Sequence, residues 1–421
     1  MCKGVSYTGI IHMNIHKAIR NFFEYMIVFS LILDCNSAYL YLQGMQNIMR
    51  WVVLIMLSVG VLGVVCTSSF FKKNIIYLFS EAILLILYFS IFLFFRYYNV
   101  KSAIQFIIVV FLFLIYYKTN DQKDNIELIN KFINVVTIVA IISMFFWIFG
   151  TLLNVINPDS IVYSSWSGKK NYFKPIKNYH YMYFETQNLD FFSLKLIRNS
   201  AIFCEAPMAS LCFSCAIFSM LFIVSNISKL KIIILELALL STFSTTGIIL
   251  TILAFILFYF IKKPTNSLTQ IIKVIIVPLF CIIAIFVIQA LLEKKLEQFS
   301  GSLRLDDYLV GLKVWKDYPM FGTGFANTDY FTKYMLTWRE SNIGFSNTIM
   351  AIPVYGGIYW MLPFIIIIIS GFYKSLKNKN FKSASFILLF VLTVCVTYFP
   401  YQYIFVYFMF YICSIKCADY F

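Results

Sequence analysis

The sequence predicts an all-α, polytopic integral membrane protein with about twelve transmembrane helices and two long extracytoplasmic loops. Three observations lead there. Of the 421 residues, 61% are hydrophobic and only 13% are charged, whereas water-soluble domains carry roughly 25% charged residues. Apolar runs recur along the whole chain at about the 20 residues that a spanning helix needs. Stretches such as Ala82–Phe95 are apolar at nearly every position, without the alternation that marks a membrane β-barrel. The expectation is a single membrane domain over residues 1–421, with no separate soluble unit.

Taken in order, the candidate spans lie near 21–36, 48–66, 74–95, 102–117, 131–153, 204–225, 230–244, 246–261, 271–292, 346–372, 383–399 and 401–415. The net charge of +15 would suit a nucleic-acid partner, but its distribution argues against one. Lysines gather in alternate connections: Lys72 and Lys73; Lys118, Lys123 and Lys131; Lys229 and Lys231; Lys262, Lys263 and Lys273; Lys374, Lys377, Lys379 and Lys382; and Lys416. The short connections between them hold Arg50, Arg96 and Lys101. Excess positive charge marks the cytoplasmic side, so both termini are expected in the cytoplasm and both long loops outside. No small-residue cleavage site follows the first apolar run, so no cleavable signal is expected.

The loops run from Asn154 to Arg198 and from Glu293 to Ser346. Neither interior contains any of the ten cysteines, so no disulfide framework is expected there. Among the three histidines, His12 and His16 could share a helix face, but two histidines make a poor metal site. The expectation is no metal and no cofactor. The first loop interleaves aromatic residues with basic ones, including Trp166, Lys169, Lys170, Tyr172 and His180. Aromatic faces pack on sugar rings and lysines attract phosphate; an interfacial aromatic belt with snorkelling lysines would have the same composition. The composition leaves both readings open.

The first loop ends in Arg198-Asn199-Ser200-Ala201-Ile202-Phe203-Cys204-Glu205-Ala206-Pro207. Proline favours the first turn of a helix, which puts Glu205 at or just before a helix start. Arg198 and Glu205 then sit at a membrane boundary, where charges are paired or used. In the second loop, Leu305, Leu309, Leu312 and Trp315 recur at helical spacing, so Ser302 to about Asp317 reads as an amphipathic helix. Ser302 is the expected N-cap and Pro319 the stop. Arg304 falls in the expected first turn, where the helix dipole disfavours a cation, so an acidic partner or ligand is expected there. Asp306 and Asp307 follow it, and Arg339 reads as a boundary anchor.

Four segments resemble the O-antigen polymerase (Wzy-type) and O-antigen ligase superfamily of bacterial envelope glycosyltransferases. They are Arg198–Pro207, the Ser/Thr-rich turn Ser241–Gly247, Arg304 with Trp315, Pro319 and Gly322-Thr323-Gly324, and Phe345-Ser346-Asn347 followed by Gly356-Gly357. Ligase members carry a histidine where this chain has Ser346, a departure that favours a repeat-unit polymerase over a ligase. The resemblance implies transfer of an oligosaccharide from a polyprenyl-diphosphate lipid to a hydroxyl of a second lipid-linked repeat unit, at the bacterial cytoplasmic membrane. Arginine suits the departing diphosphate because its planar fork bonds phosphate oxygens bidentately and stays charged. The expected catalytic set is Arg198, Glu205, Arg304, Asp306 and Asp307, with Glu205 the first candidate for general base. The expected substrate-binding set is Lys169, Lys170, Tyr172, His180, Trp315, Ser346 and Asn347. Besides the lipid-linked oligosaccharide and membrane lipid, expected partners are a chain-length regulator and a flippase, with no nucleic acid. A lipid-linked oligosaccharide transporter is the alternative of another class; transporters tend to carry repeated halves and charges along a path within the spans, whereas here functional charge concentrates in the outer loops and no repeat is visible.

Overall fold

The computed structural model of the chain describes residues 7–68, 75–166, 172–191, 194–262, 299–336, 339 and 345–416. It is mostly helical. The helices are α1 (Tyr7–Asp34), α2 (Gln46–Cys66), α3 (Ile75–Phe95), α4 (Val100–Thr119), α5 (Gln122–Phe146), α6 (Ala206–Phe222), α7 (Lys229–Ser241), α8 (Thr245–Ile261), α9 (Phe299–Asp317), α10 (Thr348–Lys377), α11 (Phe381–Val396) and α12 (Tyr403–Cys413). Among the described residues four segments are long and apolar enough to cross a membrane: Gln46–Cys66, Val100–Thr119, Gln122–Leu152 and Thr348–Lys377. Shorter apolar helices, among them α6, α8, α11 and α12, complete the bundle. The expected count of about twelve spans is thus reached for four by length and composition. The candidate span 271–292 lies outside the described residues.

Local chemistry sets the helix starts. Asp121 and Asp124 form a reciprocal capping box at α5, and Asn347 and Asn380 cap α10 and α11 by accepting from Met350 N and Ser383 N. The central element is α6, buried at every position except Pro207 and packed against α5, α7, α8 and α11. A helix apolar all round belongs inside a bundle, and Glu205 is its N-cap residue.

The first long loop departs from the all-α expectation. It holds five short strands: β1 (Ser160–Ser164), β2 (Lys174–Tyr179) and β3 (Tyr183–Glu185) form one antiparallel sheet, and β4 (Asn188–Phe191) and β5 (Leu194–Ile197) a hairpin. The aromatic and lysine content that reads as a polar loop is half-buried strand: Ile176, Tyr179, Tyr183 and Phe184 turn inward while Lys177 turns outward. The sheet is tied to the bundle through the α1–α2 connection, where Ala38 N donates to Ile202 O at 2.8 Å and Gln43 N to Tyr163 O at 2.8 Å.

The second loop also differs in detail. The described part of α9 is already helical at Phe299, so Ser302 lies inside the helix instead of capping it, and Arg304 lies past its first turn. The leucine stripe faces outward: Leu305, Leu309 and Leu312 are exposed, while Asp306, Asp307, Val310 and Val314 point inward. The helix is therefore apolar on two sides. Its valines meet Met350 and Val354 of α10.

After α9, the Pro319–Gly324 turn docks onto a break in α10. Gly357 there has φ +61 and ψ −158, outside helical geometry. Ile358 N and Tyr359 N, freed by the break, donate to Pro319 O at 2.8 Å and Met320 O at 3.1 Å. In return Thr323 N and Gly324 N donate to Val354 O at 2.8 Å and Tyr355 O at 3.1 Å. A Cβ on Gly357 would lie 2.3 Å from Met320 O, and one on Gly322 2.5 Å from Val354 O. The two glycine motifs, separate in sequence, are the two halves of this contact. Gly357→Ala is expected to cost about 1–3 kcal/mol of backbone strain before the clash is counted; the check is a melting temperature several degrees lower for the purified variant in detergent.

Candidate active site

The two long loops and the ends of five helices enclose a cavity of about 900 Å³. Trp166, Lys174, Thr186, Gln187 and Arg198 of the first loop form its roof. Glu205, Ser210 and Ser214 belong to the α6 wall, Thr246 and Gly247 to α8, and Arg304 and Asp307 to α9. Arg339, Ser346, Tyr355 of α10, and Thr397 and Tyr398 after α11 close it.

Arg198 is placed by its neighbour in sequence. Asn199 is fully buried, and its Nδ2 donates to Ser241 Oγ at 2.9 Å and Ser143 Oγ at 3.2 Å. That clamp on the ends of α5 and α7 delivers Arg198 to the Ser/Thr-rich turn between α7 and α8. There Nε donates to Thr242 O at 2.7 Å, Nη2 to Phe243 O at 3.4 Å and Nη1 to Gln187 Oε1 at 3.3 Å. Gln187 Oε1 also accepts from Ala206 N, the first residue of α6, at 3.2 Å. Arg304 reaches the same turn from the other side, its Nη1 donating to Thr246 Oγ1 at 3.1 Å. Both guanidinium groups are thus bonded to residues 242–246.

All of these acceptors are neutral, and there is no ion pair between Arg198 and Glu205 among the described residues. Burial therefore pushes the Arg198 guanidinium down to about 10, with the nearby charge of Glu205 opposing that fall. Arg304 is lowered for the same reason, opposed by Tyr308, Asp307 and Glu205. The Glu205 side chain makes no cap hydrogen bond to its own helix. Burial raises its carboxyl, while Arg198, a hydrogen bond from Trp166 and Arg304 pull it back.

Arg339 behaves differently. It is buried and its Nη1 donates to Asp306 Oδ2 at 2.9 Å and Asp307 Oδ1 at 2.6 Å. Asp307 Oδ2 also accepts from Ser346 N at 2.8 Å, which ties α9 to the start of α10. Burial raises the Asp307 carboxyl, and Ser346 and Arg339 hold it down. Among the described residues, four cations (Lys174, Arg198, Arg304 and Arg339) and two carboxylates (Glu205 and Asp307) line the cavity, a balance of +2. Asp306, behind Arg339, reduces it to +1. The cavity favours an anion.

Of the residues expected from sequence, Arg198, Glu205, Arg304, Asp307 and Ser346 line this cavity. Asp306 serves Arg339 from outside the lining. His180 is exposed, in a left-handed turn conformation, and pairs with Asp159 at 2.9 Å. Tyr172 is exposed, Trp315 sits on α9 outside the lining, and Asn347 caps α10. Lys169 and Lys170 lie outside the described residues. Sequence reasoning missed Arg339, Lys174, Gln187, Ser210 and Ser214. Arg339 follows Trp338 late in a polar loop, where a boundary anchor gives the same pattern; its two aspartates lie more than thirty positions upstream. The serines are one turn apart on a helix whose other hydroxyl, Ser219, lies outside the cavity lining, the only hint the sequence offers.

Arg339→Met should leave two carboxylates buried together, at a cost of about 3–5 kcal/mol. A thermal melt in detergent reads that loss, and adding Asp306→Asn and Asp307→Asn should recover part of it.

Residues 230–365 match the family model described as O-antigen ligase (Wzy_C). The matched stretch contains the α7–α8 turn, Arg304, the Pro319–Gly324 turn, Ser346 and the break in α10; Arg198 and Glu205 precede it. The match is consistent with the resemblance to the O-antigen polymerase and ligase superfamily drawn from the motifs, and with the apolar helices it indicates a membrane protein of the glycan-transferase type. A comparison with curated proteins finds no match.

Proposed function

We propose that the chain is a polymerase of lipid-linked oligosaccharide repeat units, acting on the outer face of the bacterial cytoplasmic membrane. The observation that carries the reading is that Arg198, Arg304 and Glu205, from three different elements, line one cavity, with the arginines bonded to neutral groups. A polyprenyl diphosphate is the donor leaving group that suits this charge. The acceptor is a sugar hydroxyl of a second lipid-linked repeat unit.

In the reaction, the acceptor oxygen attacks the anomeric carbon of the donor sugar, and the new glycosidic bond forms there. The bond from that carbon to the diphosphate oxygen breaks, and its electron pair leaves with the lipid diphosphate. The acceptor proton passes to Glu205. Arg198 and Arg304 hold the negative charge that grows on the departing diphosphate, in a site whose low dielectric strengthens the interaction. Asp307 is already paired with Arg339, which leaves Glu205 as the base.

A ligase reading shares this chemistry and has the family match in its favour. Ser346, in place of the histidine that ligases carry, favours the polymerase. The product separates them: a polymerase incubated in detergent with a lipid-linked repeat unit yields a ladder of lengths, whereas a ligase yields single transfers to a lipid acceptor. A transporter yields neither, because detergent removes the two compartments.

Arg304→Ala and Arg198→Ala are expected to lower the turnover rate by about 10²–10³, with the protein still present in the membrane; unchanged ladders in both variants would refute the assigned roles. The Glu205 base must be deprotonated to work, and its carboxyl titrates above the ordinary range. Activity should therefore rise with pH through that raised value and fall as pH drops below it. In Glu205→Gln the acid limb should vanish, along with about 10²–10⁴ of the rate, as read by a pH–rate profile.

A further inference from the structure

Buried hydroxyls normally find a partner, and in an apolar helix a serine commonly bonds the carbonyl one turn back. Ser30, Ser58, Ser375 and Thr393 do so. Ser210 and Ser214 of α6 do not. They are 1% and 2% exposed, and neither Oγ has a hydrogen-bond partner in the structure. Thr186, at 6% exposure, has an unpartnered Oγ1 as well. All three residues line the same cavity, Thr186 in the roof and the serines along α6 below Glu205.

An unpaired buried hydroxyl costs about 1–3 kcal/mol, so three gathered at one cavity point to an occupant that bonds them. Its chemistry follows from the walls. Gly247 of α8 leaves the serine hydroxyls room: a Cβ there would lie 1.9 Å from Ser210 Oγ and 3.5 Å from Ser214 Oγ. Trp166 and Leu250 supply flat or apolar surface beside the hydroxyls. Neutral hydroxyls set among apolar and aromatic faces match a pyranose ring, which has polar edges and C–H faces. Lying five and nine residues past Glu205, the serines sit roughly 8 and 14 Å along the helix from it, deep enough to hold a sugar beside the reacting carbon.

We propose that Thr186, Ser210 and Ser214 line a stretch of the cavity that binds sugar rings of the repeat unit, separate from the arginines that hold the diphosphate. The assignment deepens the polymerase reading and rests on it for the identity of the sugar's carrier. These are binding residues; the proton transfer remains with Glu205.

The test uses the full chain in detergent and two probes, inorganic diphosphate and the lipid-linked repeat unit extracted from cells that make it. The Ser210→Ala/Ser214→Ala double variant is expected to bind the repeat unit roughly tenfold or more weakly, a severalfold loss for each hydroxyl, with diphosphate affinity unchanged. Thr186→Val, outside the helix packing, and Gly247→Ala, whose methyl displaces the Ser210 hydroxyl, should weaken the repeat unit in the same selective way. Unchanged affinity for the repeat unit in all three overturns the subsite. Equal weakening of both probes overturns it too, because the hydroxyls would then only support the cavity's shape. Arg198→Ala and Arg304→Ala provide the separate control. Full diphosphate affinity in those variants defeats the polymerase reading while the serine result stands or falls by itself.

Discussion

A guanidinium taken out of water must find partners, and what kind of partner it finds decides whether its charge survives for a ligand. Arg339 is matched by two carboxylates, so its charge is spent within the protein. Among the described residues, the hydrogen bonds of Arg198 and Arg304 go to carbonyl, amide and hydroxyl oxygens, which do not cancel their charge. The fold is arranged around that difference. The loop strands, the clamp at Asn199 and the docking of α9 all serve to hold two uncancelled cations against one short turn.

Each long loop brings one of these cations, and neither loop encloses the cavity alone. The first arrives as small sheets anchored to the α1–α2 connection and to α6. The second arrives as a helix whose valines pack on α10 and whose Asp307 is bonded to Ser346 N. Glu205, uncapped at the head of the most buried helix, faces both. The arrangement sets a carboxylate and two positive groups around one cavity, where the proposed transfer would join a lipid-borne anion to a sugar hydroxyl.

Much of this was legible in the residues. Periodicity located most of the described helices to within a few positions, because runs of about 20 apolar residues leave little alternative, but α1 and α5 begin well before the expected starts at 21 and 131, at Tyr7 and Gln122. Pro207 announced the start of α6, and the order of Arg198, Glu205 and Arg304 named three cavity residues. The failures have physical causes too. Strands of three to six residues in a loop carry too short a pattern to separate from an aromatic belt. The leucine stripe of α9 gave the right element but not its inner face, because valines at 310 and 314 cover the other side and burial follows contacts, not hydrophobicity alone. The partners of Arg339 could not be read because they are distant in sequence, and a turn histidine such as His180 looks like a ligand-binding one until the backbone is seen.

The contact between the Pro319–Gly324 turn and the break in α10 carries a genetic consequence. At Gly322 and at Gly357 the atoms in the way of any side chain are main-chain atoms of the facing segment. Trimming a neighbouring residue would not open space, since every residue brings the same carbonyl. Damage at either glycine is thus closed to second-site suppression across the contact, and selection for revertants should return glycine itself.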